Sequence, residues 1–181
     1  MGTPRITRMD HATVEQWDEA ERVAVAVDRG LPDRILAFLE MLRGLDDGFA
    51  IDQLGHALQT ATRAERAGAD AELVVAALMH DVGKLFGDDY HDAVSAEMLH
   101  GYVREDVYCI VRHHQDFTAR YIAPIFGGEP ERRSRWRHEP WFGTAEKFVD
   151  EWDQLSFDPT FVTEPLEHFA PLVHAVFSPR D

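Results

Sequence analysis

Among its 181 residues the chain carries a single cysteine, Cys109. One thiol excludes an internal disulfide and any zinc site built on several cysteines, and it gives no sign of a secreted, disulfide-stapled scaffold. Flanked by Tyr108 and Ile110 on an expected helix, it is expected to be a buried core group. Positive charge is scarce as well: 33 acidic against 18 basic side chains leave a formal charge of -15. Such a surface repels a phosphate backbone or an anionic bilayer, so neither nucleic acid nor membrane is expected as a partner. Long apolar runs are missing: none approaches the roughly 20 residues of a membrane span. Met1 to Asp10 also lacks the apolar core of a signal peptide. The expected location is the cytoplasm. Alternating β-type patterns are few. With 45% hydrophobic and 28% charged residues, the chain is expected to form one all-α domain with a real core.

What is present is helical period. Thr13-Val14-Glu15-Gln16 has the form of a capping box and predicts a first helix that stops by Gly30. Pro32 opens a second, with Ile35, Leu36, Leu39 and Leu42 on one stripe and Gly44 past its end. A third is predicted from about Asp52 to Arg66, and Asp70 caps a fourth that is apolar on every face, Leu73 to Met79. A fifth covers about His91 to Leu99 and a sixth about Arg104 to Gln115. The stretch from Pro124 to Pro140 is expected to be a loop, and helices near Thr144 to Asp153 and Pro165 to Phe177 complete the chain. The basic run Arg132 to Arg137 is expected to be solvated or paired with nearby acids such as Glu129, Glu131 and Glu139.

The apolar fourth helix ends in His80-Asp81, followed by Val82-Gly83-Lys84. An ionised carboxylate at the inner end of such a helix costs several kcal/mol unless a cation, a metal or dense hydrogen bonding compensates it. Helix faces then sort the ten histidines. His114 shares a stripe with Val103, Val107, Ile110 and Val111 and points inward, whereas His113 is rotated by about 100° to the flank. His91 lies with Val94, Ser95 and Met98; His56 lies on a polar strip with Gln53 and Thr60; His100 is expected to face solvent. No role is assigned to His11, His138, His168 or His174. Several buried imidazoles converging on one buried carboxylate point to a metal site.

The pattern of His56 followed 24 residues later by M-H-D-V-G-K, with a carboxylate near the end of the domain, resembles the HD-domain metalloprotein superfamily. The resemblance implies a compact helical bundle with a dinuclear metal site in its core, here over residues 46–181, with residues 1–45 as N-terminal helices packing on it in one structural domain. It implies six protein ligands, His56, His80, Asp81, His91, His114 and Asp153, with Asp81 bridging two metals. Periodicity alone leaves Asp150 and Asp158 open beside Asp153; the resemblance favours Asp153. Four imidazoles and two carboxylates suit iron, manganese or zinc.

Two HD subfamilies use six such ligands. In hydrolases paired metals activate water against a phosphoester. In the oxygenases, which include myo-inositol oxygenase and the phosphonate-cleaving enzymes, a di-iron pair holds substrate and activates dioxygen. Gln53 to Gln59, followed by Ala67 to Asp70, is similar to the phosphonate branch, and Lys84 resembles the inositol-oxygenase lysine that contacts bound substrate. Asp46-Asp47-Gly48-Phe49 departs from the tyrosine and glutamate of the phosphonate enzymes, and Gly55 replaces a common acidic residue. The expected function is therefore oxidative C–P or C–C cleavage of a small hydroxylated or phosphonate-type molecule with O2, using two iron ions and the catalytic Lys84. The alternative is a phosphohydrolase using manganese or zinc. Oligomeric state is not legible.

Overall fold

A computed structural model describes residues 4–178, and every regular element in that span is helical. The helices are α1 (Val14–Arg29), α2 (Leu31–Glu40), α3 (Gln53–Arg66), α4 (Ala71–Met79), α5 (His91–Leu99), α6 (Glu105–Phe126), α7 (Phe142–Lys147) and α8 (Leu166–Phe177). Single turns of 3-10 helix cover Val82–Leu85 and Arg132–Trp136, and a π-helical turn covers Phe148–Asp153.

Local chemistry starts these helices where the sequence predicts. The Thr13 Oγ1 accepts from the Gln16 N–H at 3.3 Å while the Thr13 N–H donates to Gln16 Oε1 at 3.0 Å, closing the capping box of α1. Asp52 and Asp70 cap α3 and α4 by accepting from the Gly55 and Leu73 N–H groups. Gly68 takes φ +76° just beyond α3, a left-handed conformation that stops the helix cheaply only at glycine.

The apolar helix α4 is the axis of the fold. Val74 to Met79 are all buried, and α3, α6 and α8 pack around them. Each fully buried large side chain, such as Leu78 or Met79, stabilises the fold by roughly 1.5–3 kcal/mol. α2 packs on α8 and adds Ile35 and Leu39 to the core, whereas α1 contributes no buried side chain.

Three expectations need correction. The sixth helix does not end at Gln115 but runs to Phe126, because Phe117, Ala119 and Ala123 continue its buried stripe. Pro124 falls in its last turn, where it removes one bond to the Arg120 carbonyl, and the helix ends two residues later. Cys109 is half-buried at the edge of the Val107–Ile110–Val111 stripe, with Sγ 3.8 Å from the Glu105 carboxylate, and is not a core thiol. The segment 127–140 is not simply a loop: its 3-10 turn is fastened down by acids from α6 and the π turn. Arg132 pairs with Asp116 at 2.7 Å, and buried Arg133 pairs with Asp150 at 3.0 Å; among the described residues only Arg137 finds one of the expected local acids, Glu131.

Gly83 fixes how the His-Asp segment meets α5. A Cβ there would lie 2.3 Å from the His91 carbonyl oxygen and 2.8 Å from its Cα, backbone atoms with nowhere to retreat. The Gly83 N–H also donates to Ser95 Oγ at 2.9 Å. Gly83→Ala should push α5 outward and cost about 2 kcal/mol, lowering the melting temperature by roughly 5 °C. A thermal melt that matches the parent would show that the two backbones are not in close contact.

Candidate metal centre

Five separate elements deliver the six sequence-predicted residues to one buried locus. His56 comes from the first turn of α3, His80 and Asp81 from the end of α4, His91 from the first position of α5, His114 from the middle of α6, and Asp153 from the last position of the π turn. All six are buried, from 0% exposure at His56 and His80 to 7% at His91. The extra residue per turn of a π-helix rotates the chain beyond it, and such turns recur at functional sites. Here the turn ends on Asp153, whose Oδ1 lies 3.3 Å from His56 Nε2 and 3.6 Å from His80 Nε2. Asp150 is engaged elsewhere, by Arg133 and by the Tyr121 hydroxyl at 2.9 Å, and Asp158 caps Thr160.

Asp81 joins two groups. His56, His80 and Asp81 form one set of ligand atoms close enough to hold a metal ion, and Asp81, His91 and His114 form another. Asp81 Oδ1 lies 3.0 Å from His91 Nε2, 3.3 Å from His114 Nε2 and 3.5 Å from His80 Nε2, and Oδ2 lies 3.5 Å from His56 Nε2.

The imidazole hydrogen bonds determine what these atoms can do. Each Nδ1 is paired with a backbone carbonyl: His56 with Ser156 at 3.0 Å, His80 with Ala77 at 2.9 Å, His91 with Asp88 at 2.7 Å and His114 with Val111 at 2.7 Å. A carbonyl only accepts, so each Nδ1 carries a proton, and each ring, when neutral, turns a bare Nε2 lone pair inward. The Nε2 atoms of His56 and His80 face each other at 3.1 Å, as do those of His91 and His114. Two lone pairs at that distance repel unless a cation lies beside them. The buried Asp81 Oδ1 likewise has no hydrogen-bond donor. Both observations fit metal ions, and the carbonyl-held Nδ1–H is the usual outer support of a ligating histidine.

Electrostatics point the same way. Burial alone would raise the Asp81 carboxyl, but His80, His114, His91 and the Lys84 ammonium hold it well below its ordinary value. Asp153 is lowered in the same manner by His80 and His56, against its own burial. Burial opposes charge on His56, yet Asp153 and Asp81 raise its pKa above the usual imidazole value. Lys84 Nζ stands 3.2 Å from Asp81 Oδ2 and 2.9 Å from Asp47 Oδ2, and these carboxylates raise its pKa despite burial. Asp47, Asp81 and Asp153 outnumber the one ammonium, so the centre without cations is net negative; two divalent ions reverse its sign.

The remaining histidines stay outside. His100 is exposed, His113 packs 4.0 Å from Trp136 on the flank of α6, and His168 and His174 pair with Glu65 and Asp33 at the surface. Sequence reasoning missed two supports. Phe157 stacks on the His56 ring at 4.3 Å and 10°, with Phe49 stacked on its far side at 4.0 Å. Asp47 is the other: the sequence marks Asp46-Asp47-Gly48-Phe49 only as a departure from the tyrosine and glutamate of the phosphonate enzymes, and nothing in its spacing signals a partner at Lys84.

The HD domain family profile matches residues 54–158, more than half of the chain. Over 98 residues the chain is 33% identical to a hydroxymethylphosphonate dioxygenase of Gimesia maris. That match takes in 52% of this chain and 43% of the relative, so less than half of the relative's length is covered. The family match runs from the helix carrying His56 to just beyond Asp153, and this chain belongs to the HD domain family.

Proposed function

We propose that the protein is a non-haem di-iron oxygenase that cleaves a C–P or C–C bond of a small hydroxylated or phosphonate-type substrate with O2. The observation that carries this reading is the four-imidazole, two-carboxylate cluster with the Lys84 ammonium at its edge. Similarity to a hydroxymethylphosphonate dioxygenase supports the reaction type. Such ligands, without thiolate, suit iron, manganese or zinc; His56, His80, Asp81 and Asp153 would hold one ion and Asp81, His91 and His114 the other. When bound, an iron pair supplies redox-active Lewis acidity and positions open to small ligands.

The chain's own groups supply the rest. The backbone carbonyls of Ser156, Ala77, Asp88 and Val111 hold the four imidazoles in the ligating tautomer, so no ring has to turn when a cation enters. Lys84 places a positive charge beside Asp81, where it lowers the cost of bringing in an anionic group. Phe157 and Phe49 cover the outer face of His56 and keep water from that ring.

Metal analysis with iron spectroscopy tests the reading. Protein prepared without oxygen should bind two irons per chain, and mild oxidation should convert them to a coupled mixed-valent pair. Tight zinc or manganese, with phosphate released from phosphoesters, would identify a hydrolase instead.

A further inference from the structure

α1 is the least supported helix of the fold. It packs on α2, yet none of its side chains is buried, and every residue from Glu21 to Arg29 is exposed. Its 16 residues are close to the length at which a helix alone is marginal in water, so a partner on its open side would add stability. One face is both apolar and acidic: Val14, Trp17, Asp18, Glu21 and Val25 follow the spacing of a single helical stripe, and all five are exposed. Trp17 is 47% exposed, although tryptophan is on average a well-covered residue. Over the whole helix five acids, Glu15, Asp18, Glu19, Glu21 and Asp28, stand against Arg22 and Arg29.

The complementary chemistry lies at the C-terminal end of α6. Tyr121, Ile122, Ile125 and Phe126 form a second uncovered stripe, with Ile125 76% and Phe126 83% exposed. The Tyr121 hydroxyl and the Arg133 guanidinium meet on the Asp150 carboxylate at 2.9 and 3.0 Å, which sets the basic 3-10 turn beside this stripe. Arg132 and Arg135 share one buried carboxylate, Asp116, at 2.7 and 3.8 Å, and Arg137 reaches Glu131 at 4.0 Å. From Arg120 to Arg137 there are five arginines and two acids, in a chain whose formal charge is -15. Clustered apolar side chains open to water mark an interaction surface. The arginines beside them call for a partner that is apolar and acidic, while the charge of the rest of the chain opposes an anionic bilayer. The open face of α1 meets both requirements, and every copy of the chain carries it.

We propose that α1 of a second copy docks on the C-terminal end of α6, with Trp17 against Ile122, Ile125 and Phe126 and with Asp18 and Glu21 toward the arginines. Made reciprocally about a two-fold axis, the contact occurs twice and covers both stripes of both copies. The proposal is independent of the metal centre and of its reaction.

Sedimentation equilibrium over about 1 to 100 µM protein tests it, with the melting temperature of each variant showing that the fold is kept. The parent should be a dimer. Trp17→Asp and Phe126→Asp change exposed side chains, so both should melt like the parent while weakening the dimer about a hundredfold, tenfold at each of the two contacts. Asp18→Lys combined with Glu21→Lys should weaken it as well. Mixing the Trp17→Asp and Phe126→Asp proteins restores one intact contact, because each supplies the stripe that the other lacks. The mixed dimer should therefore be about tenfold tighter than either variant alone. A monomeric parent overturns the proposal, including one that binds vesicles of anionic lipid instead. So does a dimer that Phe126→Asp leaves intact, which would pair α1 with α1, or a pair of variants that fails to complement.

Discussion

Asp81→Ala is expected to leave both halves of the centre without metal. Asp81 is the only residue common to the two ligand sets, and its oxygens lie within 3.5 Å of all four Nε2 atoms. Its removal takes away the anion that balances any cation bound there and leaves the four lone pairs facing one another. Loss of even an outer support of a ligand costs about 10–100-fold in metal affinity, so loss of a shared ligand should exceed that. Removing one partner of a buried charged cluster costs about 3–5 kcal/mol, so the melting temperature should fall as well. His80→Ala should behave similarly. His113→Ala is the control, because His113 packs against Trp136 and no ligand atom depends on it. Metal counting by mass spectrometry checks the set, and normal loading of Asp81→Ala would reject the bridging role.

The larger part of the fold is written in local chemistry. Caps at Thr13, Asp52 and Asp70, the glycine stop at Gly68 and the all-apolar α4 are short-range features, and short-range rules read them. The histidines could be sorted because a helical stripe separates His114 from His113. What local pattern could not supply was long-range pairing. Asp116 and Asp150 fasten the basic segment from distant elements, and Asp47 reaches Lys84 across 37 residues. The π turn was invisible for another reason: its period is set by packing and not by residue type, so spacing alone left Asp150 and Asp153 equivalent. Burial of Phe117, Ala119 and Ala123 likewise carries α6 beyond Gln115 and two residues past Pro124.

Exchange of the metal should have an effect as large as loss of a ligand. Zinc has the same ligand preferences and can generate hydroxide or polarise a phosphoryl group, but it has no accessible redox change. The zinc form of an oxygenase should therefore be folded, fully loaded and inert, whereas the zinc form of a hydrolase should turn over.

The most direct measurement is oxygen consumption by the iron(II)-reconstituted protein in an oxygen electrode. It is run with hydroxymethylphosphonate, small polyols and amino alcohols, beside a phosphate-release assay on nucleotides under nitrogen. An oxygenase predicts substrate-dependent oxygen uptake by the iron form, none by the zinc form, and no turnover without oxygen. Anaerobic hydrolysis of a nucleotide by the zinc or manganese form, with no substrate-dependent uptake by the iron form, would contradict it.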